Sequence, residues 1–182
     1  MELIEQVRDG AAYIEEKISV KPRLGIVLGS GLGALGDRVE DPVALSYGEI
    51  PHFHSSTVQG HSGRLVTGLL QGCPVMVLQG RLHYYEGLSM DEVVFPVRCM
   101  RMLGVDSLIV TNAAGSLNPD YRPGDLMLIR DHIKMVTDSP LRGANIDEFG
   151  PRFNDMSEPY SKEIRDLARH CGARLNISLK EG

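Results

Sequence analysis

The sequence predicts an α/β fold. Leu24 to Leu28 is a short run rich in Ile, Val and Leu, opened by Pro22 and cut off by Gly29, Gly31 and Gly33. Two more apolar runs, Pro74 to Gln79 and Ser107 to Thr111, break off the same way into glycine or small residues. Around them lie stretches whose apolar residues recur at spacings of three and four. Short runs ended by glycine read as strands, and the three–four spacing reads as helix.

The 182 residues are enough for one domain with a sizeable core, and a single domain over 1–182 is expected. The composition, 42% apolar and 24% charged, is that of an ordinary globular chain. A formal net charge of −5 argues against nucleic acid or an anionic membrane as partner, so an anionic substrate would need a local cationic pocket. Cys73, Cys99 and Cys171 are scattered and form no C-x-x-C pair, as expected of thiols in a reducing compartment. The N-terminus has no basic and apolar leader, and no run is long enough to span a bilayer. The expected location is cytoplasmic.

In chain order, Leu3, Ile4, Val7, Ala11, Ile14 and Ile18 mark a first amphipathic helix, stopped between Ser19 and Pro22. The first strand and the glycine loop follow. Asp41 to His61, punctuated by Pro42, Gly48, Pro51 and Gly60, reads as irregular. Arg64 to Leu70 and Pro74 to Gln79 read as a hairpin joined at Gln71-Gly72-Cys73. Ser89-Met90-Asp91-Glu92 is a capping box that opens a well-buried helix to about Leu103, with Pro96 inside it and Gly104 as its C′ residue. Ser107 to Thr111 is the next buried strand. Arg122-Pro123-Gly124-Asp125 fits a type II turn into a strand from Leu126 to Arg130. Asp131 to Met156 is a long loop, suited to a lid or a subunit contact. Ser161 to His170 is a last helix, ended by Gly172, and Asn176 to Gly182 begins like a strand.

Three loops carry the chemistry. The glycine loop presents bare backbone N–H groups and the Ser30 hydroxyl, a cradle for phosphate. The same spacing, Gly29-x-Gly31-x-x-Ala34, also fits a dinucleotide fingerprint, for which the ribose-binding acid would fall near Glu49. Both readings stay open on spacing alone. Gly80-Arg81-Leu82-His83-Tyr84-Tyr85-Glu86-Gly87 follows a strand directly, where ligands of α/β sheets bind. Arg81 offers a fork of donors and His83 one more. Surface ion pairing and edge packing are the plainer uses of these side chains. Asn112-Ala113-Ala114-Gly115 is small enough for a ligand to approach its backbone, or is only a turn. His52, His54 and His61 cluster, with His61 at the tip of Gln59-Gly60-His61-Ser62-Gly63, but lack metal-ligand spacing, and no metal is expected.

Taken together, these stretches resemble the purine nucleoside phosphorylases of the trimeric type. The matching pieces are Gly29-Ser30-Gly31-Leu32-Gly33, His61-Ser62-Gly63-Arg64-Leu65, Gln79 to Gly87, Thr111-Asn112-Ala113-Ala114-Gly115 and Gly150-Pro151-Arg152-Phe153. The resemblance implies a three-layer phosphorylase-type α/β fold, with a mixed sheet flanked by helices. It implies phosphorolysis of purine nucleosides to free purine and ribose 1-phosphate, inorganic phosphate as co-substrate, no cofactor, and a homotrimer. By motif, Ser30, His61, Arg81, Leu82, His83 and Ala113 would bind phosphate, Tyr85 would pack on the ribose, and Phe153 would serve a neighbouring subunit's site. Methylthioadenosine phosphorylases are a nearer relative than any oxidoreductase, but the run Gly80 to Gly87 fits the purine nucleoside branch better. Family members continue well past residue 182, and the groups that hold the purine lie there. The expectation is therefore a phosphate half-site, an incomplete sheet with an exposed apolar edge, and little turnover from these residues alone. The rival expectations are a nicotinamide-dependent oxidoreductase and a non-catalytic remnant that binds phosphate.

Overall fold

The computed structural model describes residues 1–55 and 63–182. The chain divides into two compact units. The first comprises Met1–Ala113 with Asp138–Phe149, and the second Ala114–Thr137 with Gly150–Gly182.

The first unit is built on a five-stranded mixed sheet. Its strands are β1 (Leu24–Leu28), β2 (Glu40–Ser46), β3 (Arg64–Leu70), β4 (Cys73–Gln79) and β5 (Ser107–Val110), in the order β2-β3-β4-β1-β5. β2, β3 and β4 are antiparallel neighbours, whereas β4, β1 and β5 run parallel. The register pairs Leu28 with Gln79 and Val27 with Val110, so the three parallel strands end at the same edge of the sheet. One face carries α1 (Leu3–Lys17) and α2 (Met90–Met102). Val7, Ala11 and Ile14 of α1 and Phe95, Cys99 and Met100 of α2 pack with Val27, Leu65, Met76 and Leu78 of the strands. Ile26, Leu28, Val66, Val75 and Val77 form a second cluster with Val39. The alternation along β1 and β4 thus feeds two cores, which is why both strands read as continuous apolar runs. Burial pushes the Cys99 thiol up to about 12, so it is an inert packing group.

Local chemistry explains the element ends. Gln71 and Gly72 both take positive φ, 53° and 75°, as a two-residue hairpin of the primed type requires. Ser89 Oγ accepts from Glu92 N–H at 3.3 Å, and Glu92 accepts from Ser89 N–H at 2.6 Å, closing the capping box of α2. Gly104 follows α2 with φ 95°.

Three expectations are corrected. The stretch after Asp41 is not wholly irregular, because residues 40–46 form β2. Proline is tolerated there because β2 is an edge strand with a register shift between Glu40 and Val43 and with Asp41 at φ 48°. β5 is not buried. It ends the sheet, and Leu108, Ile109 and Val110 are exposed. Gly172 does not stop the last helix. α3 runs over Lys162–Arg174, and Asn176 at φ 55° follows it. A Cβ on Gly172 would lie 3.0 Å from Leu179 and 3.2 Å from the Ile177 carbonyl, so this glycine serves close packing.

The second unit holds α3 and a parallel pair of short strands, β6 (Leu126–Leu128) and β7 (Leu179–Glu181). The turn into β6 closes through Asp125 N–H to the Arg122 carbonyl at 3.0 Å, with Gly124 at φ 95°. Tyr121 donates to the Glu181 carbonyl, and Arg169 pairs with Glu181. The 131–156 stretch is shared between the units. Within the first, Glu148 pairs with Arg8 at 2.5 Å, and the Pro140 carbonyl accepts from Arg98 at 2.9 Å, which ties this part to α1 and α2. Among the described residues no helix is long and apolar enough to cross a membrane.

Candidate functional site

The C-terminal ends of β1, β4 and β5 release the three loops singled out by sequence. Their shared edge follows from the parallel register, and Thr111 joins them. Its hydroxyl accepts from Gly29 N–H at 2.8 Å and donates to the Val27 carbonyl at 3.1 Å. Its carbonyl accepts from Arg81 Nη1 at 2.9 Å. One residue at the end of β5 therefore holds both the start of the glycine loop and the guanidinium of the β4 loop. The approach is close. A Cβ on Gly29 would sit 2.5 Å from the Thr111 carbonyl oxygen and 2.7 Å from Asn112 Cα, so only glycine fits.

Ser30 and Gly31 are exposed beyond this junction, and Gly31 takes φ 84°. The loop closes on itself through Leu32 N–H to the Gly29 carbonyl at 3.2 Å. It then enters a 3-10 turn, Gly33–Arg38, and β2. A dinucleotide fingerprint opens an α-helix whose N-terminus holds the pyrophosphate. No such helix follows here, and Glu49 is engaged with the Ser46 N–H at 2.9 Å.

Arg81 is half-buried. Its Nε is buried and has no hydrogen-bond partner among the described residues, while Nη1 is fixed on Thr111. A buried guanidinium N–H left unpaired costs free energy that an anion would recover. The next residue, Leu82, has its side chain in the core, so only its main chain can face a ligand. His83 accompanies Arg81. Glu86 Oε1 accepts from His83 N–H at 2.9 Å and lies 2.8 Å from His83 Nδ1. An ionised carboxylate only accepts, so the ring proton sits on Nδ1 and the ring orientation is set. The Tyr85 ring stacks on His83, with centroids 4.7 Å apart and planes at 20°, and its outer face is exposed. Ala113 lies at the exposed end of the β5 loop. Phe153 is in the second unit and is 88% exposed. His61 lies outside the described residues. His52 and His54 pair with Asp9 and Glu92 at 2.8 and 3.1 Å.

Sequence reasoning passed over four supporting residues. Thr111 looked like the last residue of a strand. Glu86 had a signal in its i+3 spacing from His83, the spacing of a capping box. Tyr47, fully buried in the segment read as irregular, donates to the Gly80 carbonyl at 2.6 Å, and burial raises its pKa well above the ordinary tyrosine value. Gln79 read only as the end of an apolar run.

A model described as the phosphorylase superfamily matches residues 23–182. Purine nucleoside phosphorylase 1 of Bacillus subtilis (strain 168) is 49% identical over 178 residues, covering 98% of this chain and 66% of that protein. The purine nucleoside phosphorylase of Rattus norvegicus is 47% identical over 183 residues, covering 98% and 63%. Isoform 2 of the Schistosoma mansoni purine nucleoside phosphorylase, solved with cytosine and ribose-1-phosphate, superposes with a TM-score of 0.91 at 40% identity, covering 98% of this chain and 64% of that one. A purine nucleoside phosphorylase solved with ribose-1-phosphate superposes with a TM-score of 0.92 at 41% identity, covering 98% and 68%. The chain thus spans about two thirds of the length of the curated relatives it matches.

Proposed function

The chain belongs to the phosphorylase superfamily, and from that premise we propose that it carries the phosphate half of a purine nucleoside phosphorylase site. The observation that carries this is the buried Nε of Arg81, unpartnered among the described residues, on a guanidinium that shares Thr111 with the glycine loop. The reaction is phosphorolysis. A phosphate oxygen attacks the anomeric carbon of the nucleoside, the carbon–nitrogen bond to the purine breaks, and its electron pair leaves with the base. The products are ribose 1-phosphate and, after proton uptake, free purine. Inorganic phosphate is the nucleophile, so the protein's work is positioning and electrostatics rather than covalent catalysis.

Each residue has a task in this scheme. The N–H groups of the glycine loop and the Ser30 hydroxyl hold one side of the anion, and Arg81 and His83 hold the other. The main chains of Leu82 and Ala113 add donors, and His61 joins the phosphate ligands by the motif His61-Ser62-Gly63-Arg64-Leu65. Glu86 holds His83 in place. Tyr85, already stacked on His83, offers its exposed face to the ribose. Phe153 serves the site of a neighbouring subunit in a homotrimer. No cofactor or metal takes part, and the location is cytoplasmic. The relatives solved with ribose-1-phosphate, and the identity to named purine nucleoside phosphorylases, support this scheme.

The test is phosphate-dependent cleavage of inosine, with ribose 1-phosphate measured as product, beside calorimetric titration with inorganic phosphate. Phosphate binding without turnover is the expected result for the 182 residues on their own, and turnover is expected for a chain that spans the relatives' full length. Arg81→Ala should weaken phosphate at least about tenfold, the loss of a charge-assisted hydrogen-bond pair. Phosphate binding that is absent, or indifferent to Arg81→Ala, would overturn the proposal.

A further inference from the structure

Gln79 is a polar residue in an apolar place. It closes β4 with its side chain almost fully buried, immediately before Gly80 and Arg81. A buried amide is costly unless its hydrogen bonds are satisfied. Here both N–H donors and the oxygen are engaged by one structure. Nε2 donates to the Gly33 carbonyl at 2.7 Å and to Asp37 Oδ1 at 3.1 Å. Oε1 accepts from Arg64 Nε at 2.6 Å, and Arg64 Nη2 reaches Asp37 at 2.7 Å. The partners fix which way the amide points: the oxygen meets a donor, and the nitrogen meets two acceptors. Gly36 completes the fit, because a Cβ there would lie 2.8 Å from the Gln79 amide carbon.

We infer that Gln79 is a positioning residue for the anion loop, with Asp37 and Arg64 orienting its amide. The loop has two anchors. Thr111 holds Gly29 at its start, and Gln79 holds Gly33 at its end. Only Ser30, Gly31 and Leu32 lie between them. A short segment tied at both ends keeps its N–H groups aimed before an anion arrives, which spares the ordering cost on binding. Gln79 also precedes Arg81 in the chain. The same residue therefore sets the far end of one loop against the root of the other.

This inference rests on phosphate binding by the glycine loop and Arg81, and the experiment separates the two. Inorganic phosphate is titrated calorimetrically into the unmodified chain and into Q79E, and ligand-free unfolding is followed in parallel. Q79E conserves size but sets a carboxylate against the Gly33 carbonyl and Asp37. The expected result is a phosphate Kd raised about tenfold or more, since two hydrogen bonds become repulsions, with the chain still folded. Adding D37N to Q79E should recover at least about threefold, because the two positions share one network. If Q79E does not fold, D37A carries the test. Asp37 sits on an exposed part of the turn, and D37A should raise the Kd about threefold at a nearly unchanged unfolding midpoint, since Gln79 loses one of its two acceptors and the other lost bond, to Arg64, is exposed. No phosphate binding by the unmodified chain would overturn both this inference and the proposed function. Normal binding whose Kd does not respond to Q79E, or to D37A where that variant carries the test, would overturn this inference alone.

Discussion

Gly29 and Gly72 stand at opposite ends of the same sheet and are glycines for different reasons. Gly29 ends β1 at the ligand edge, with no room for a Cβ: the Thr111 carbonyl and Asn112 Cα already occupy the space. Gly72 lies in the hairpin turn before β4, at the far edge. A Cβ there would meet nothing within 4 Å, and glycine is favoured only because φ is 75°. At the far edge the chain solves a local problem of turning. At the ligand edge it brings the Gly29 backbone and the Arg81 guanidinium together on Thr111, and leaves a buried guanidinium N–H unpaired among the described residues. Close approach and an unsatisfied donor at one edge, against a plain turn at the other, are what the proposed anion site rests on.

Substitutions can break or sharpen that contrast. Gly29→Ala should have the largest effect. The new methyl group must push β1 away from β5, an overpacking cost of about 3 kcal/mol. Phosphate binding should fall below detection. Denaturant unfolding and a phosphate titration of the same sample check both. Tyr47→Phe comes next. It strips the hydroxyl from the buried Gly80 carbonyl, at a cost of about 1–3 kcal/mol, and loosens the root of the Arg81 loop. A severalfold weaker phosphate Kd should accompany the drop in unfolding free energy. Gly72→Ala should be the mildest, about 1 kcal/mol for an alanine held at positive φ, with phosphate affinity unchanged. A Gly72→Ala chain that loses phosphate, or a Gly29→Ala chain that keeps it, would erase the distinction between the edges.

The same contrast explains what could be read from sequence. The turn and the helix ends away from the three loops are made of local signals. Gln71-Gly72, Ser89 with Glu92, and Gly104 each act within a few residues, and each stands where the pattern places it. The loops at the ligand edge were also visible, because strand, glycine and cationic residues adjoin in the chain. Their supports were not. Thr111 meets Gly29 across 82 residues, and Gln79 meets Gly33 across 46. Pairings of that span leave no mark in periodicity. β2 was hidden by Pro42 and a register shift, which interrupt the alternation of Val43 and Leu45 that would have revealed it. The exposure of β5 depends on its place at the end of the sheet, which the run Leu108-Ile109-Val110 cannot announce. Gly172 carried a helix-stop signal but was used for contact with Leu179.

The central claim is that the three strand-end loops hold one anion. It is tested most directly by titrating an amide-labelled chain with inorganic phosphate and following backbone N–H resonances. The account predicts that Ser30, Gly31, His83 and Ala113 shift together along a single binding curve, while Gly72 and Gly104 stay still. Shifts confined to one loop, or loops that titrate with separate affinities, would contradict it.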